Sequence, residues 1–402
     1  MLFWKNAIRF LTKINSRGNL CDAAAHERTK NKSANLHLLD KHFCQRGAQR
    51  AQRLLCGEET IILTNVFTRR KTMNKTVDGL KVVEVPYRNM KRVYYRREFD
   101  DYKLCGTYYK AGVPFEVVQA SYDHENYPLA EGEFFDYDPN VFSEALGKLC
   151  GSIAEEAEKG FRDGKCVLMT GGGCEHAPGI LGGIERAFGS GKKIGFIWMD
   201  AHGDFNTPET SESGRPGGMP LAVCAGEGCE TWRWLSGMEK PVPTENIILA
   251  DARNLDPAEE KAIDATKMTV VKTASFNELH VWKEKVQELA DKVDMIYLHI
   301  DLDVLDGKYL PNSLFVEEGG PELDTVLDNI KVVMDTGKVI AFSLVSVTFV
   351  NGLPGQDIRT LNGMRILGTG LENWKKCPEI KTEYCKTCQE LSRFKITKSV
   401  KE

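Results

Sequence analysis

Nowhere in the 402-residue chain is there an apolar run long enough to cross a bilayer. The longest, Val339–Val350, spans 12 residues and already includes Ser and Thr, whereas a spanning helix needs roughly 18 or more. This excludes a membrane-spanning helix and leads us to expect a soluble protein. An excess of one charge is also missing, with 53 Lys+Arg against 57 Asp+Glu. Collagen-like, low-complexity and fully disordered compositions are excluded by 42% hydrophobic and 27% charged residues with only 36 Gly and 15 Pro. The 12 Cys are scattered and build no compact disulfide framework. Cys166 and Cys224 sit inside apolar runs, as reduced core thiols do, and point to a reducing compartment. The C-terminal pair Cys385 and Cys388, with Cys377 nearby, lacks a second pair or a neighbouring His, so a four-ligand zinc site is not expected there.

The near-neutral total conceals an asymmetry. Residues 1–75 hold 15 Lys+Arg against 5 Asp+Glu, and residues 76–402 hold 38 against 52. An acidic body does not suit nucleic acid, because phosphate contacts need clustered Lys and Arg. The basic excess is a leader. Its first 17 residues interleave Leu2, Phe3, Ile8, Phe10, Leu11 and Ile14 with Lys5, Arg9, Lys13 and Arg17, and no acid precedes Asp22. That is the pattern of an organellar transit peptide. The alternative is an upstream extension with Met73 opening the folded protein. The two readings imply a mitochondrial and a cytoplasmic location respectively. We expect residues 1–75 to be poorly ordered, 76–375 to form the folded domain and 376–402 to be a Lys-rich tail.

From about Leu80 short β-branched runs alternate with helical stretches, which is the texture of a parallel sheet with crossover helices. Strands are expected at Lys81–Val85, Cys166–Thr170, Ile194–Met199, Asn246–Ala250, Met268–Val271, Met295–Asp303 and Val339–Val347. Helices are expected at Phe142–Phe161, Gly179–Phe188, Pro257–Ala265, Ser275–Lys292, Pro321–Asp335 and Thr360–Leu367. Continuous apolar strands are those covered by helices on both faces. The expected fold is therefore α/β, a three-layer αβα sandwich with a mainly parallel sheet.

Three of these strands end in polar clusters: Gly171-Gly172-Gly173-Cys174-Glu175-His176, Asp200-Ala201-His202-Gly203-Asp204, and His299-Ile300-Asp301-Leu302-Asp303. Ligands of parallel α/β sheets bind at the carboxyl ends of strands, where these clusters fall. Side chains alternate along extended backbone, which puts Asp200, His202 and Asp204 on one side and Asp301 with Asp303 likewise. Carboxylates converging on one crevice repel unless cations lie between them. Carboxylates with an imidazole suit a hard or borderline divalent ion such as Mn²⁺, and shared Asp oxygens can bridge two of them.

Residues 171–183, 198–221 and 297–320 resemble the arginase/agmatinase (ureohydrolase) family. The signature Asp-Ala-His-x-Asp stands at Asp200–Asp204 and continues through Asn206, Thr207, Pro208, Thr210, Ser213 and Gly214. The later Asp-x-Asp-x-x-Asp with Pro and Gly-Gly stands at Asp301, Asp303, Asp306, Pro311, Gly319 and Gly320. The likeness covers about residues 80–372. It implies a binuclear manganese centre, two ions per subunit, with Asp200 and Asp301 bridging, Asp204 and Asp303 serving one ion each, and His202 completing the second position. It further implies catalytic roles for Asp204 and His202, substrate contacts for Asn206 and Ser213, and a trimeric or hexameric homo-oligomer. The implied reaction is attack of a metal-bridging hydroxide on a linear amidine or guanidino carbon, which for arginine or a related guanidino compound gives an amine and urea. Arginine, hydroxyarginine and agmatine are the candidate substrates.

Four departures mark a divergent member. Cys174 stands where the family places its first metal-binding His, which favours Zn²⁺ or Fe²⁺ there; Glu175 or His176 would replace it only through a loop shift. Gly217 stands at the position of the family's proton-transfer His, while Arg215 is a candidate clamp for a substrate carboxylate. Phe349 takes the place of the Glu that pairs with the guanidinium, leaving Glu317, Glu318 or Asp357 as replacement charges or solvated loop residues. His299 shares strand parity with Asp301, so it is either a buried His bonded to a backbone carbonyl, or a group that orients a metal ligand or transfers a proton. A catalytically weak protein with a binding or regulatory role is the competing expectation.

Overall fold

Eight strands pair side by side, all parallel, in the order β2-β1-β3-β8-β7-β4-β5-β6. They are β1 (Leu80–Val85), β2 (Phe115–Gln119), β3 (Cys166–Gly171), β4 (Ile194–His202), β5 (Ile247–Asn254), β6 (Thr269–Lys272), β7 (Met295–Asp301) and β8 (Val339–Val345). The structure, a computed structural model, describes residues 78–88, 91–92, 96–121, 138–313, 316–348 and 354–375. The basic leader, the cysteines of the tail and Phe349 lie outside the described residues. Among those described, no helix is long and apolar enough to cross a membrane.

The helices that matter for the core are α1 (Arg97–Leu104), α2 (Pro139–Arg162), α3 (Ala177–Phe188), α4 (Pro220–Ala225), α5 (Glu230–Leu235), α6 (Pro257–Asp264), α7 (Leu279–Lys292), α8 (Leu323–Asp335) and α9 (Gln356–Asn373). Asp138 caps α2 by accepting from the Asn140 amide at 2.9 Å, and Pro139 opens the helix where a missing N–H costs nothing. The two-residue period of the strands divides their side chains between two cores. On β4, Phe196 and Trp198 join the layer containing α2 to α6, whereas Ile197 and Met199 face the layer of α1, α7, α8 and α9. Tyr297 on β7 follows the first set, and Leu298 and Ile300 follow the second. Trp198, Trp232, Trp282 and Trp374 are wholly buried. Full burial of a large apolar side chain contributes roughly 1.5–3 kcal/mol, so both faces are anchored. This is the expected αβα sandwich.

The chain places β8 and β7, its last two strands, in the gap between β3 and β4. Connections leave this gap in opposite directions, and the crevice above it is where such sheets bind ligands. Two differences from the sequence reading shape that crevice. The strand expected to run to Asp303 stops at Asp301, and Leu302–Val304 is a 3-10 turn. Its cause is local: the Asp301 carboxylate accepts the Asp303 amide at 2.9 Å, the side-chain mimicry of a turn that Asp favours. Asp204 adopts a left-handed backbone, φ 48°, so strand alternation places neither Asp204 nor Asp303. Edge strand β2 was not legible, because its half-exposed sequence carries no apolar run.

Candidate metal centre

The Gly-rich turn after β3 delivers Cys174. Gly171 and Gly172 take positive φ, 79° and 69°, and a Cβ would meet the Phe99 ring at 2.5 Å at the first and His176 Nδ1 at 2.5 Å at the second. Only glycine fits both demands. The turn aims Cys174 Sγ to within 3.0 Å of Asp301 Oδ2 and 3.4 Å of Asp200 Oδ2. His176 turns back on its own loop, with Nδ1 accepting the Gly173 amide at 3.1 Å, and Glu175 lies 3.5 Å from that ring nitrogen. The structure thus brings Cys174 to the carboxylates.

Asp200, at the end of β4, is held by the Trp198 indole N–H at 3.2 Å and the His202 amide at 2.8 Å. Asp301 is held by the Asp303 amide and the Ser346 hydroxyl, and Ser346 itself has a left-handed φ of 61°. Asp303 accepts the Ala201 amide at 3.3 Å. His202 Nδ1 lies 3.3 Å from both Asp200 and Asp303, and its Nε2 lies 3.3 Å from Glu317. Two donor groups result. Cys174, Asp200 and Asp204 each offer an atom within 4.8 Å of the others, and so do Asp200, His202 and Asp303. Asp200 belongs to both groups. Left-handed conformations at Asp204 and Ser346 are the kind of backbone strain that a site tolerates in return for side-chain placement.

Electrostatics point the same way. Burial, then the charge of Asp301, raises the carboxyl of Asp200; burial and the charge of Asp200 raise Asp204 well above the carboxylate range. Burial with the charge of Asp303 raises Asp301, and burial with Asp200 raises Asp303. The Cys174 thiol is pushed far up by burial and then by Asp301, Asp200 and Asp204. Burial opposes protonation of His202, but its bonds to Asp200, Asp303 and Glu317 outweigh burial and raise it. Four carboxyls raised by burial and by one another's charge are a donor set whose repulsion divalent cations relieve. The residues present therefore fit a pair of such ions.

A family model described as Arginase family matches residues 108–352. The chain belongs to the arginase family. Arginase of Bacillus subtilis (strain 168) is 36% identical over 161 residues, 40% of this chain and 53% of that protein. Arginase of Brevibacillus brevis is 35% identical over 207 residues, 49% of this chain and 67% of that protein. The chain spans about half to two thirds of the length of the curated relatives it matches. The arginase of Bacillus cereus superposes with a TM-score of 0.62 at 22% identity, covering 73% of this chain and 98% of that one. Entamoeba histolytica arginase, solved with L-ornithine, gives 0.64 at 18% identity over 74% and 99%. Formimidoylglutamase of Bacillus subtilis gives 0.55 at 16% over 77% and 90%. These three share the arginase-family fold with this chain.

Around the cluster, this arginase-family protein spends several sequence candidates on loop structure. Asn206 is buried, and its amide donates to Asp256 at 3.0 Å and accepts from Thr210 at 2.9 Å. Ser213 is exposed and accepts the Arg215 amide at 3.3 Å. At Gly217 a Cβ would meet nothing within 4 Å, so the position that the sequence resemblance assigns to a His is open. Glu318 is exposed, and Asp357 pairs with Arg97 at 2.8 Å. His299 is wholly buried and bonds to side chains, Ser343 and Cys174, and burial lowers its pKa to about 3. Sequence reasoning missed Ser343, Ser346 and Arg253. Ser343 was recoverable from strand order alone, since it pairs with His299 across β8 and β7.

Proposed function

We propose that this chain is a metal-dependent hydrolase that cleaves a non-peptide C–N bond in a linear amidine or guanidino compound, and that arginine or a related guanidino compound is split to an amine and urea. The observation that carries this reading is the pair of donor groups sharing Asp200, with Asp301 bonded to the sulfur of the first. Cys174 and Asp204 would hold one cation, His202 and Asp303 the other, with Asp200 and Asp301 between them. Mn²⁺ is the family expectation, and Cys174 favours Zn²⁺ or Fe²⁺ at the first position. When bound, such a pair supplies charge that lowers the pKa of water from 15.7 towards about 7.

The chain's own residues do the rest. Asp200 and Asp301 are fixed by amide, indole and hydroxyl donors, so the crevice is preorganised rather than assembled around substrate. A carboxylate oxygen of Asp204 takes the proton released as water adds to the planar carbon. It returns that proton to the nitrogen that leaves as the C–N bond breaks. Arg215 stands as the candidate partner of a substrate carboxylate. A formimidoylglutamase shares the fold, so the fold leaves the choice among amidines open. A homo-oligomer, trimeric or hexameric, belongs to the same proposal.

One observation favours a second reading, a catalytically weak member retained for binding or regulation: the open Gly217 position carries no titratable group. Reconstitution with Mn²⁺, Zn²⁺ or Fe²⁺, metal analysis and urea release from arginine, hydroxyarginine and agmatine separate the two. We expect two ions per chain and turnover of at least one compound, abolished in Asp204→Asn. Two ions with no turnover would select the second reading. A chain that takes up no metal would overturn the first reading.

A further inference from the structure

Strand register sets Trp198, His299 and Ser343 side by side on β4, β7 and β8, on the face that also carries Tyr297. All four are wholly buried. The Trp198 ring stacks on His299 at 3.9 Å and 24°, which fixes the plane of the imidazole. Ser343 Oγ lies 2.7 Å from His299 Nδ1 and 2.8 Å from the Tyr297 hydroxyl, which is itself 3.4 Å from Nδ1. His299 Nε2 lies 3.3 Å from Cys174 Sγ.

The proton inventory selects one direction for this chain of bonds. If Nδ1 carried the proton, Ser343 would accept it and donate to the Tyr297 oxygen. The Tyr297 hydroxyl hydrogen would then be buried with no acceptor, since its neighbours are Ser343 and His299. In the reverse direction every group is satisfied. Tyr297 donates to Ser343, Ser343 donates to Nδ1, and the Nε2–H is left to donate to sulfur. An N–H aimed at the sulfur needs it only as an acceptor, which leaves the Cys174 S–H to the Asp301 and Asp200 carboxylates and, when a cation replaces that proton, still bonds the thiolate.

The geometry points to His299 as a positioning residue that aims the Cys174 sulfur at the position shared with Asp200, Asp204 and Asp301, biasing that position towards a thiophilic cation, Zn²⁺ or Fe²⁺, over Mn²⁺. This rests on the metal-centre reading above. Thiolate is a soft ligand that prefers zinc and iron to manganese. Partners that orient a ligand change metal affinity by about 10–100-fold.

The test uses the metal-free full chain titrated with Co²⁺, Zn²⁺ and Mn²⁺ alone, in wild type, Cys174→Ser, His299→Leu and His299→Gln. We expect a near-ultraviolet thiolate-to-cobalt charge-transfer band in wild type that is lost in Cys174→Ser. His299→Leu should shift the band and weaken Zn²⁺ binding by about 10–100-fold, with a smaller change for Mn²⁺. His299→Gln, which keeps an N–H donor, should restore part of the loss. Cobalt bound without the band, or a zinc-to-manganese preference unchanged in both His299 variants, would overturn the inference while leaving the metal centre standing. Should His299→Leu not fold, the wild-type band and the His299→Gln preference decide alone. Failure of wild type to take up any of the three ions would overturn the metal-centre reading itself.

Discussion

His202 shows how one imidazole is committed on both sides. Its Nδ1 faces Asp200 and Asp303, and its Nε2 faces Glu317, each at 3.3 Å. An imidazole that binds a cation through one nitrogen gains when the other donates to a carboxylate, because that fixes the ring and raises its basicity. In the sequence, Glu317 is a charge that either replaces the family's guanidinium partner or sits solvated in a loop. The structure gives it a different employment, and its bond to His202 holds its carboxyl below the usual range. Glu317→Gln keeps an acceptor and loses the charge, while Glu317→Ala loses both. Calorimetric titration with Mn²⁺ should show the second binding event weakened by about 10-fold in the first variant and towards 100-fold in the second. Unaltered binding in Glu317→Ala would reduce Glu317 to a surface carboxylate.

At the level of elements, the strands that reach the site were legible because each is an apolar run ending in a polar cluster. What was not legible is how their ends turn. Alternation alone would have carried β7 through Asp303, whereas a 3-10 turn begins at Leu302, and Asp204 owes its place to a left-handed backbone. The brace for these turns is Arg253, a residue outside every motif. Its guanidinium donates to the carbonyls of Asp303, Val304, Leu305, Glu317 and Glu318 at 2.9–3.2 Å, and it pairs with Asp251. One planar fork thus ties the turn carrying Asp303 to the loop carrying Glu317, beyond the reach of a lysine's single ammonium. Arg253→Lys should cost about 1–3 kcal/mol and Arg253→Met about 3 kcal/mol or more, because the Asp251 charge is then left unpaired. Urea midpoints read the order, and weaker binding at the His202 position should accompany it. Equal stability of the two variants would show that the pairing with Asp251 contributes nothing.

For the molecule as a whole, an acidic body closing four carboxylates into one crevice has a stability that depends on cations. The sequence disclosed the carboxylates but not their depth: Asp200, Asp204, Asp301 and Asp303 are all buried. A ligand that binds only the folded state at a thousand times its Kd stabilises by about 4 kcal/mol. A domain of this size loses roughly 2–4 °C of Tm per kcal/mol. Chelation should therefore lower Tm by on the order of 10 °C. The pH dependence of the metal-free protein follows from linkage. Burial and mutual repulsion raise Asp200, Asp301 and Asp303, so between their folded values and the ordinary carboxylate range the folded state binds more protons than the unfolded. Stability of the metal-free chain should then rise as pH falls from neutral towards that range, while the metal-bound chain loses its ions and its advantage. The two Tm curves, measured by scanning fluorimetry with and without chelator, should converge on acidification. Asp301→Asn removes one charge from the cluster without removing its volume, and should shrink the chelator-dependent drop. Curves that coincide across this window would mean that the carboxylates are stabilised by the protein alone.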